Sequence, residues 1–336
     1  MAVLNNGDLA GGYNSLKIWN KDDGSEIRTL DEKTSLWSLA VLQNGHLASG
    51  SDDATIKIWN TDTGSLKRNL SGHTGSVSSL AVLSNGNLAS GSYQEIKIWN
   101  IDKGTVIRTL TGDHSDHFSL VVLRNGNLAS GSNSVINVWN TDTGSLIRTL
   151  TGHNVTVWSL AVLPNGHLAS GSFGEIKIWN MDTGTEIKTL TGHTSYVDAL
   201  TVLPNGYLAS GSSDRTIKIW NTDTGSEITT LKGHTGWVNS LAVLPNGYLA
   251  SGSFFPDNTI KIWNARPTKQ ISSTSSRMKS VTSTTARIAS RSTLTLKTTI
   301  ATKKTTATTD TSLCMFFLVD VKFLTKFIIF NRVVNG

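Results

Sequence analysis

The amino-acid sequence predicts an all-β protein, a ring of seven four-stranded antiparallel units followed by a disordered C-terminal tail. Three observations carry that expectation. A tryptophan recurs as Trp19, Trp59, Trp99, Trp139, Trp179, Trp220 and Trp263, at intervals of 40 residues four times, then 41, then 43. Each interval contains four short runs rich in β-branched and apolar residues, separated by turn residues. No run has a helical period. Self-similarity at this length decides the architecture, so it is read before any other motif.

The elements follow in order along LTGHTSYVDALTVLPNGYLASGSSDRTIKIWN, residues 190–221. The stretch YVDALTVL, 196–203, is a first strand. Pro204-Asn205-Gly206 is a turn, since proline presets φ and Asn-Gly supplies the positive-φ positions of a tight reversal. A second strand, YLASGS, covers 207–212, and SDR turns the chain again. TIKIW, 216–220, alternates as a third strand, NTDTG is a loop, and SEITTL, 226–231, is the fourth. One such sheet cannot bury both of its faces. Placed side by side around an axis, each covers its neighbour and only short edges remain. Ala and Gly of LASGS suit the crowded inner part of that ring.

The Gly-His opening and the Ile-Trp-Asn ending, as at Gly192-His193 and Ile219-Trp220-Asn221, resemble WD-repeat (WD40) β-propellers, over residues 1–264. The resemblance implies blades of four strands and a noncatalytic scaffold for protein-protein interaction, with partners gripped on one loop face. All seven repeats end Trp-Asn where that family more often has Trp-Asp. The first blade starts late, because Met1 to Leu4 aligns with Leu39 to Leu42. The seventh ends early, with only Lys269 to Thr274 as a weak outer strand, Ile271 standing where Ile228 stands one repeat before. The chain therefore reads as a truncated gene model or a fragment of a longer array.

His, Ser and Asp recur in the repeats as His193, Ser210 and Asp214 before Trp220, and as His234, Ser251 and Asp257 before Trp263. Nucleophilic catalysis needs one exposed serine with its base and an oxyanion hole. A set that recurs points instead to a hydrogen-bond chain, which the resemblance places inside the blade. Elsewhere the set reads as incomplete. His73 and His153 lack the turn aspartate, Asp53 lacks its histidine because Lys33 takes that place, and Asp113 replaces the histidine of the fourth unit with His114 displaced by one. Units six and seven should be the best locked, units one and four the loosest. No cofactor motif appears, and histidines spread along the repeats rather than clustered do not suggest a metal site. The TDTG loops place Asp62, Asp142, Asp182 and Asp223 beside glycine without the further oxygen ligands calcium needs.

Near-copies can differ in specificity only where they diverge. The divergent positions lie in the loops expected at one end of the ring, and aromatic residues gather there: Tyr93, Trp158, Phe173, Tyr196, Trp237, Phe254 and Phe255. Tyrosine and tryptophan are favoured interface anchors. Phe254-Phe255-Pro256 lengthens its turn with apolar residues and reads as a binding lip.

Residues 1–264 hold 18 Lys/Arg against 22 Asp/Glu, whereas the remainder holds 12 against 2. The basic character therefore belongs to the tail. Residues 265–312 are Ser/Thr-rich and basic, a composition that remains disordered. They read either as a phosphorylatable, nucleic-acid- or polyanion-binding arm or as translated noncoding sequence. Residues 313–336 are apolar but hold Asp320, Lys322 and Lys326, a poor membrane span. Cys314 is the single cysteine, and no signal peptide is evident, which fits an intracellular protein, cytoplasmic or nuclear. The function expected is partner binding. Its rivals are nucleic-acid binding through the tail and an enzyme working from a propeller face.

Overall fold

Each repeat's first hairpin is fixed by an Asn-Gly pair. At residues 203–207, Leu203 N donates to Tyr207 O (2.8 Å) and Gly206 N to Leu203 O (2.9 Å). Asn205 Oδ1 accepts from Tyr207 N (3.1 Å). Gly206 sits at φ +86°, a region costly for residues with a Cβ. The same closure recurs at Leu42, Leu83, Leu123, Leu163 and Leu244.

The computed structural model describes residues 1–110 and 119–265. Within these there are strands and turns and no helix. The sheets form a β-propeller. In one representative sheet Ser79–Val82, Leu88–Ser92, Glu95–Asn100 and Thr105–Leu110 pair in sequence order, all antiparallel. The third and fourth strands carry a bulge, so that Ile98 faces Arg108 but Trp99 faces Val106.

The expected seven separate four-stranded sheets are not what the strand pairing gives. Four sheets have four strands, one has seven and one has three, so five carry four strands or more. The seven-stranded sheet arises because Glu186–Val202 runs without interruption. Its first part pairs with Phe173–Trp179 and its second with Leu208–Ser212, the pair Phe173–Tyr196 bridging the place where other repeats break. The three-stranded sheet is the last, Val238–Val243, Leu249–Ser253 and Ile260–Trp263. The outer strand expected at Lys269 to Thr274 lies outside the described residues, as do the tail, the apolar segment at 313–336, and Asp113 with His114.

Alternation of side chains puts two apolar faces on every unit. One face offers Ala48, Ile56, Ile58 and Leu70, and the next unit covers it with Val77, Leu80, Leu88 and Trp99. The arrangement repeats from unit to unit, each tryptophan seated on the sheet before it. Leu9 and Trp19 of the first unit pack on Ala242, Leu244 and Ala250 of the last. The amino group of Met1 also donates to Ser240 Oγ (2.7 Å). The two ends of the array are thus in contact.

The outer rim explains both the Trp-Asn ending and the TDTG loop. Asn140 Oδ1 accepts from Asp142 N (2.9 Å) and Thr143 N (2.8 Å), a turn an amide oxygen serves as well as a carboxylate. The loop carbonyls face the preceding unit. Arg108 donates to Asp142 O (2.7 Å) and Thr143 O (2.9 Å). Arg68 reaches Asp102 O (3.0 Å), Arg148 reaches Asp182 O (3.2 Å) and Lys188 reaches Asp223 O (2.6 Å) in the same way. Thr229 stands where the next cation would be, so this stitch ends at the sixth unit.

Gly144 has φ +80°, and a Cβ there would lie 2.6 Å from Arg108 Cδ. Gly144→Ala should therefore destabilise by about 1–2 kcal/mol in urea unfolding, from the positive φ and the displaced arginine together. In an Arg108→Ala background the same substitution should cost less, because only the backbone part remains. Equal costs in both backgrounds would show that the stitch does not constrain the loop.

Candidate functional site

A buried serine hydroxyl is the hub of the polar chain in the repeats after the first. In the sixth unit Trp220 Nε1 donates to Ser210 Oγ (2.8 Å), which lies 2.7 Å from His193 Nε2. His193 Nδ1 lies 2.7 Å from Asp214 Oδ2, and Asp214 also accepts from Thr194 N and Thr216 N. In the seventh, Ser251 is 2.6 Å from both Trp263 Nε1 and His234 Nε2, and His234 Nδ1 is 2.5 Å from Asp257. With Nδ1–H donated to the carboxylate, Nε2 must accept, so the serine gives its proton to histidine and takes the indole N–H. Ser210 and Ser251 have no exposed surface. Both proton and lone pair of the hydroxyl are engaged, so neither serine is presented to a substrate.

Two readings of the sequence are corrected here. His73 and His153 do not lack a carboxylate, because Glu95 and Glu175 supply it, each at 2.8 Å from the histidine Nδ1. Their turns are one residue shorter than SDRT, and the additional methylene of glutamate restores the reach. The histidine position of the second unit is filled by Glu32, not Lys33. Glu32 is buried, accepts from Ser49 Oγ (3.1 Å) and pairs with Lys57 Nζ (2.7 Å). Lys57 in turn holds Asp53 (3.0 Å). In the first unit Gly11 stands where Ser49 and Ser90 stand, so that sheet has no such hydroxyl.

Burial pushes the imidazoles of His73, His153 and His234 below their ordinary value, despite the opposing carboxylates. Burial opposes the ionisation of Asp214 and Asp257. Their hydrogen bonds from histidine and threonine outweigh it and hold both carboxyls low.

Strand order places the fourth-to-first loops and the second-to-third turns at one end, opposite the Asn-Gly hairpins. Most of the divergent aromatics meet there in two groups. Tyr196 receives Phe173 (5.1 Å between ring centres) and Trp158 (6.0 Å), both edge to face. Trp237 stacks on Phe254 (6.4 Å), which touches Tyr13 (5.1 Å), and Tyr13 reaches Trp37 (6.3 Å). Tyr93 makes neither group, although it is 57% exposed. Phe255 is 48% exposed beside half-buried Phe254. Trp37 and Tyr13 were not among the residues singled out from the sequence. Trp37-Ser38-Leu39 repeats Trp158-Ser159-Leu160, and that identity was the available signal. Tyr13 sits in the atypical first repeat, where LAGGY replaces LASGS.

Among the described residues no group of three or more His, Cys, Asp or Glu side chains could hold a metal ion. No described helix is long and apolar enough to cross a membrane.

The family model for WD domain, G-beta repeat, matches residues 24–60, 64–100, 144–180, 184–221 and 225–264, more than half of the chain. Unmatched between them is the repeat that carries Asp113. No curated protein matches the chain.

His73→Ala should cost about 1–3 kcal/mol, as should His193→Ala, because each leaves a buried hydroxyl and a carboxylate without their partner. A much smaller cost at His73 in chemical denaturation would show that glutamate does not replace the aspartate. Stability should also fall on acidification. The depressed histidines stay neutral in the fold while the unfolded chain takes up protons below about pH 6.5. Asp214 and Asp257 add a further loss below about pH 4. Melting temperatures from pH 8 to 5 would check the histidine part, and a flat profile would refute it.

Proposed function

Because the chain belongs to the WD40 repeat family, we propose that it is a noncatalytic scaffold, a seven-bladed propeller that binds protein or peptide partners on its aromatic end. The observation that carries this reading is the exposed tryptophan pair. Trp37 is 56% and Trp237 51% exposed, at the two ends of the Trp237–Phe254–Tyr13–Trp37 row. Indole left half in water is the group whose desolvation gives the largest return at an interface. The partner site extends through Phe255 to the Phe173–Tyr196–Trp158 group, with Tyr93 as an outlying contact.

The count of seven blades is supported by seven buried tryptophans and by seven apolar clusters. A noncatalytic role is supported by the recurrence of the His–Ser–carboxylate set in several units and by the burial of its serines. The described repeats carry more acidic than basic residues, which favours protein partners over nucleic acid for this surface.

Partners recovered on the full-length chain should bind Trp237→Ala at least about tenfold more weakly, with the melting temperature nearly unchanged. Asn205→Ser, at the opposite end, should leave binding intact. Wild-type affinity in Trp237→Ala, with binding lost on deletion of residues 265–336, would move the site to the tail.

A further inference from the structure

The Asn-Gly pair that turns each repeat's first hairpin is also a reactive dipeptide. Glycine has no side chain to shield its amide nitrogen, which can attack the amide carbon of the preceding asparagine. In all seven turns the fold restrains that reaction. The glycine N–H donates to a leucine carbonyl, from Gly7 N to Leu4 O (2.8 Å) through to Gly247 N and Leu244 O (2.8 Å). The asparagine Oδ1 accepts from the backbone N–H two residues on, as at Asn6 (3.1 Å), Asn44 (3.0 Å) and Asn246 (3.0 Å). Attack therefore requires the turn to open.

Two observations set the first turn, Asn6-Gly7, apart. Its hairpin is held by two residue pairs, Ala2–Ala10 and Val3–Leu9, whereas the others are held by four or five. It opens at the least cost, because fewer contacts have to break. Its amide nitrogen also has an acidic neighbour. Asn6 Nδ2 donates to Asp8 Oδ2 (2.8 Å), and Asp8 is buried, with Oδ1 accepting from Lys21 N (3.1 Å). In the other turns His46, Asn87, Asn127, His167, Tyr207 and Tyr248 stand at the place of Asp8. The first turn lies on the seam between the first and last units, since a Cβ on Gly7 would lie 3.0 Å from Pro245 Cγ.

We propose that Asn6-Gly7 is a deamidation site whose conversion loosens the seam of the ring. Gly7 N loses its proton and bonds to Asn6 Cγ, the Cγ–Nδ2 bond breaks, and ammonia leaves with the proton. Water then opens the succinimide at either carbonyl, leaving aspartate or isoaspartate at position 6. Nothing is oxidised or reduced. Both products set a carboxylate where the amide donated, against the buried carboxylate of Asp8. Isoaspartate also lengthens the main chain of the turn by one methylene. In the other six turns no acid stands two residues on, and an aspartate oxygen accepts the same N–H. The site is at the end of the ring opposite the aromatic residues and does not depend on the function proposed for them.

The full-length chain, incubated in mildly alkaline buffer and then digested, would be mapped by mass spectrometry at the seven turn asparagines. Asn6 should convert first in the folded chain, and its lead should vanish in urea, where every turn is open. Asn6→Asp, the simpler product, should lower the melting temperature by about 2–4 °C, with Asn205→Asp close to wild type. In an Asp8→Asn background Asn6→Asp should cost nothing further. Faster conversion at another turn, or no conversion at Asn6 while the unfolded chain reacts, overturns the proposal. So does a wild-type melting temperature in Asn6→Asp, or a loss of the same size with and without Asp8.

Discussion

A four-stranded sheet with two apolar faces cannot be stable alone, and everything else in this protein follows from that constraint. Large residues on one face of each unit, such as Leu88 and Trp99, meet smaller and β-branched ones on its neighbour, such as Ala48, Ile56 and Ile58. The alternation of strand side chains makes both faces from the same residues, so a unit needs a neighbour on each side. The contact of Leu9 and Trp19 with Ala242 and Ala250 removes the two unsatisfied ends a linear stack would have. What is left over for chemistry or recognition lies at the loop-bearing ends and along the rim.

Inside every unit but the first the serine hydroxyl solves a second problem. A tryptophan large enough to cover the neighbouring unit brings a buried indole N–H, which must be paired. Ser90, Ser130, Ser170, Ser210 and Ser251 accept it. The histidine and carboxylate then pass the polarity outward to the half-exposed turn. The chain tolerates exchange at its outer end, where Glu95 replaces an aspartate, and even at its middle, where Glu32 with Lys57 replaces a histidine. At the hub the hydroxyl persists wherever the chain is present, since the indole and the imidazole both require it.

The repeat, its strands and their order were legible because the two-residue period and the Asn-Gly turns are local signals. The fusion of two sheets through Glu186–Val202 was not, since it depends on Phe173 pairing with Tyr196 across the sequence. The polar chain was legible where spacing is fixed, at His193 and His234. It was misread at Glu95 and Glu175, where a longer side chain compensates a shorter turn, and at Lys33, where the alignment was taken one residue late. Of the aromatic end, sequence divergence pointed to Trp237, Phe254, Phe173 and Tyr196. It missed Tyr13 and Trp37, which join the row only because the first unit closes on the last.

The rim stitch has a direction. Each arginine or lysine reaches forward to the loop of the following unit, while the glycine of its own loop makes room for the cation behind. The third, fourth and fifth repeats are thus both givers and receivers, and the two halves of the joint travel together in one 40-residue module. Duplicating such a module in the gene would keep every joint at the rim intact, and so would deleting one. Copy number can drift in evolution with little resistance from the outside of the ring. The limit comes from the crowded centre, where the inner strands must still meet.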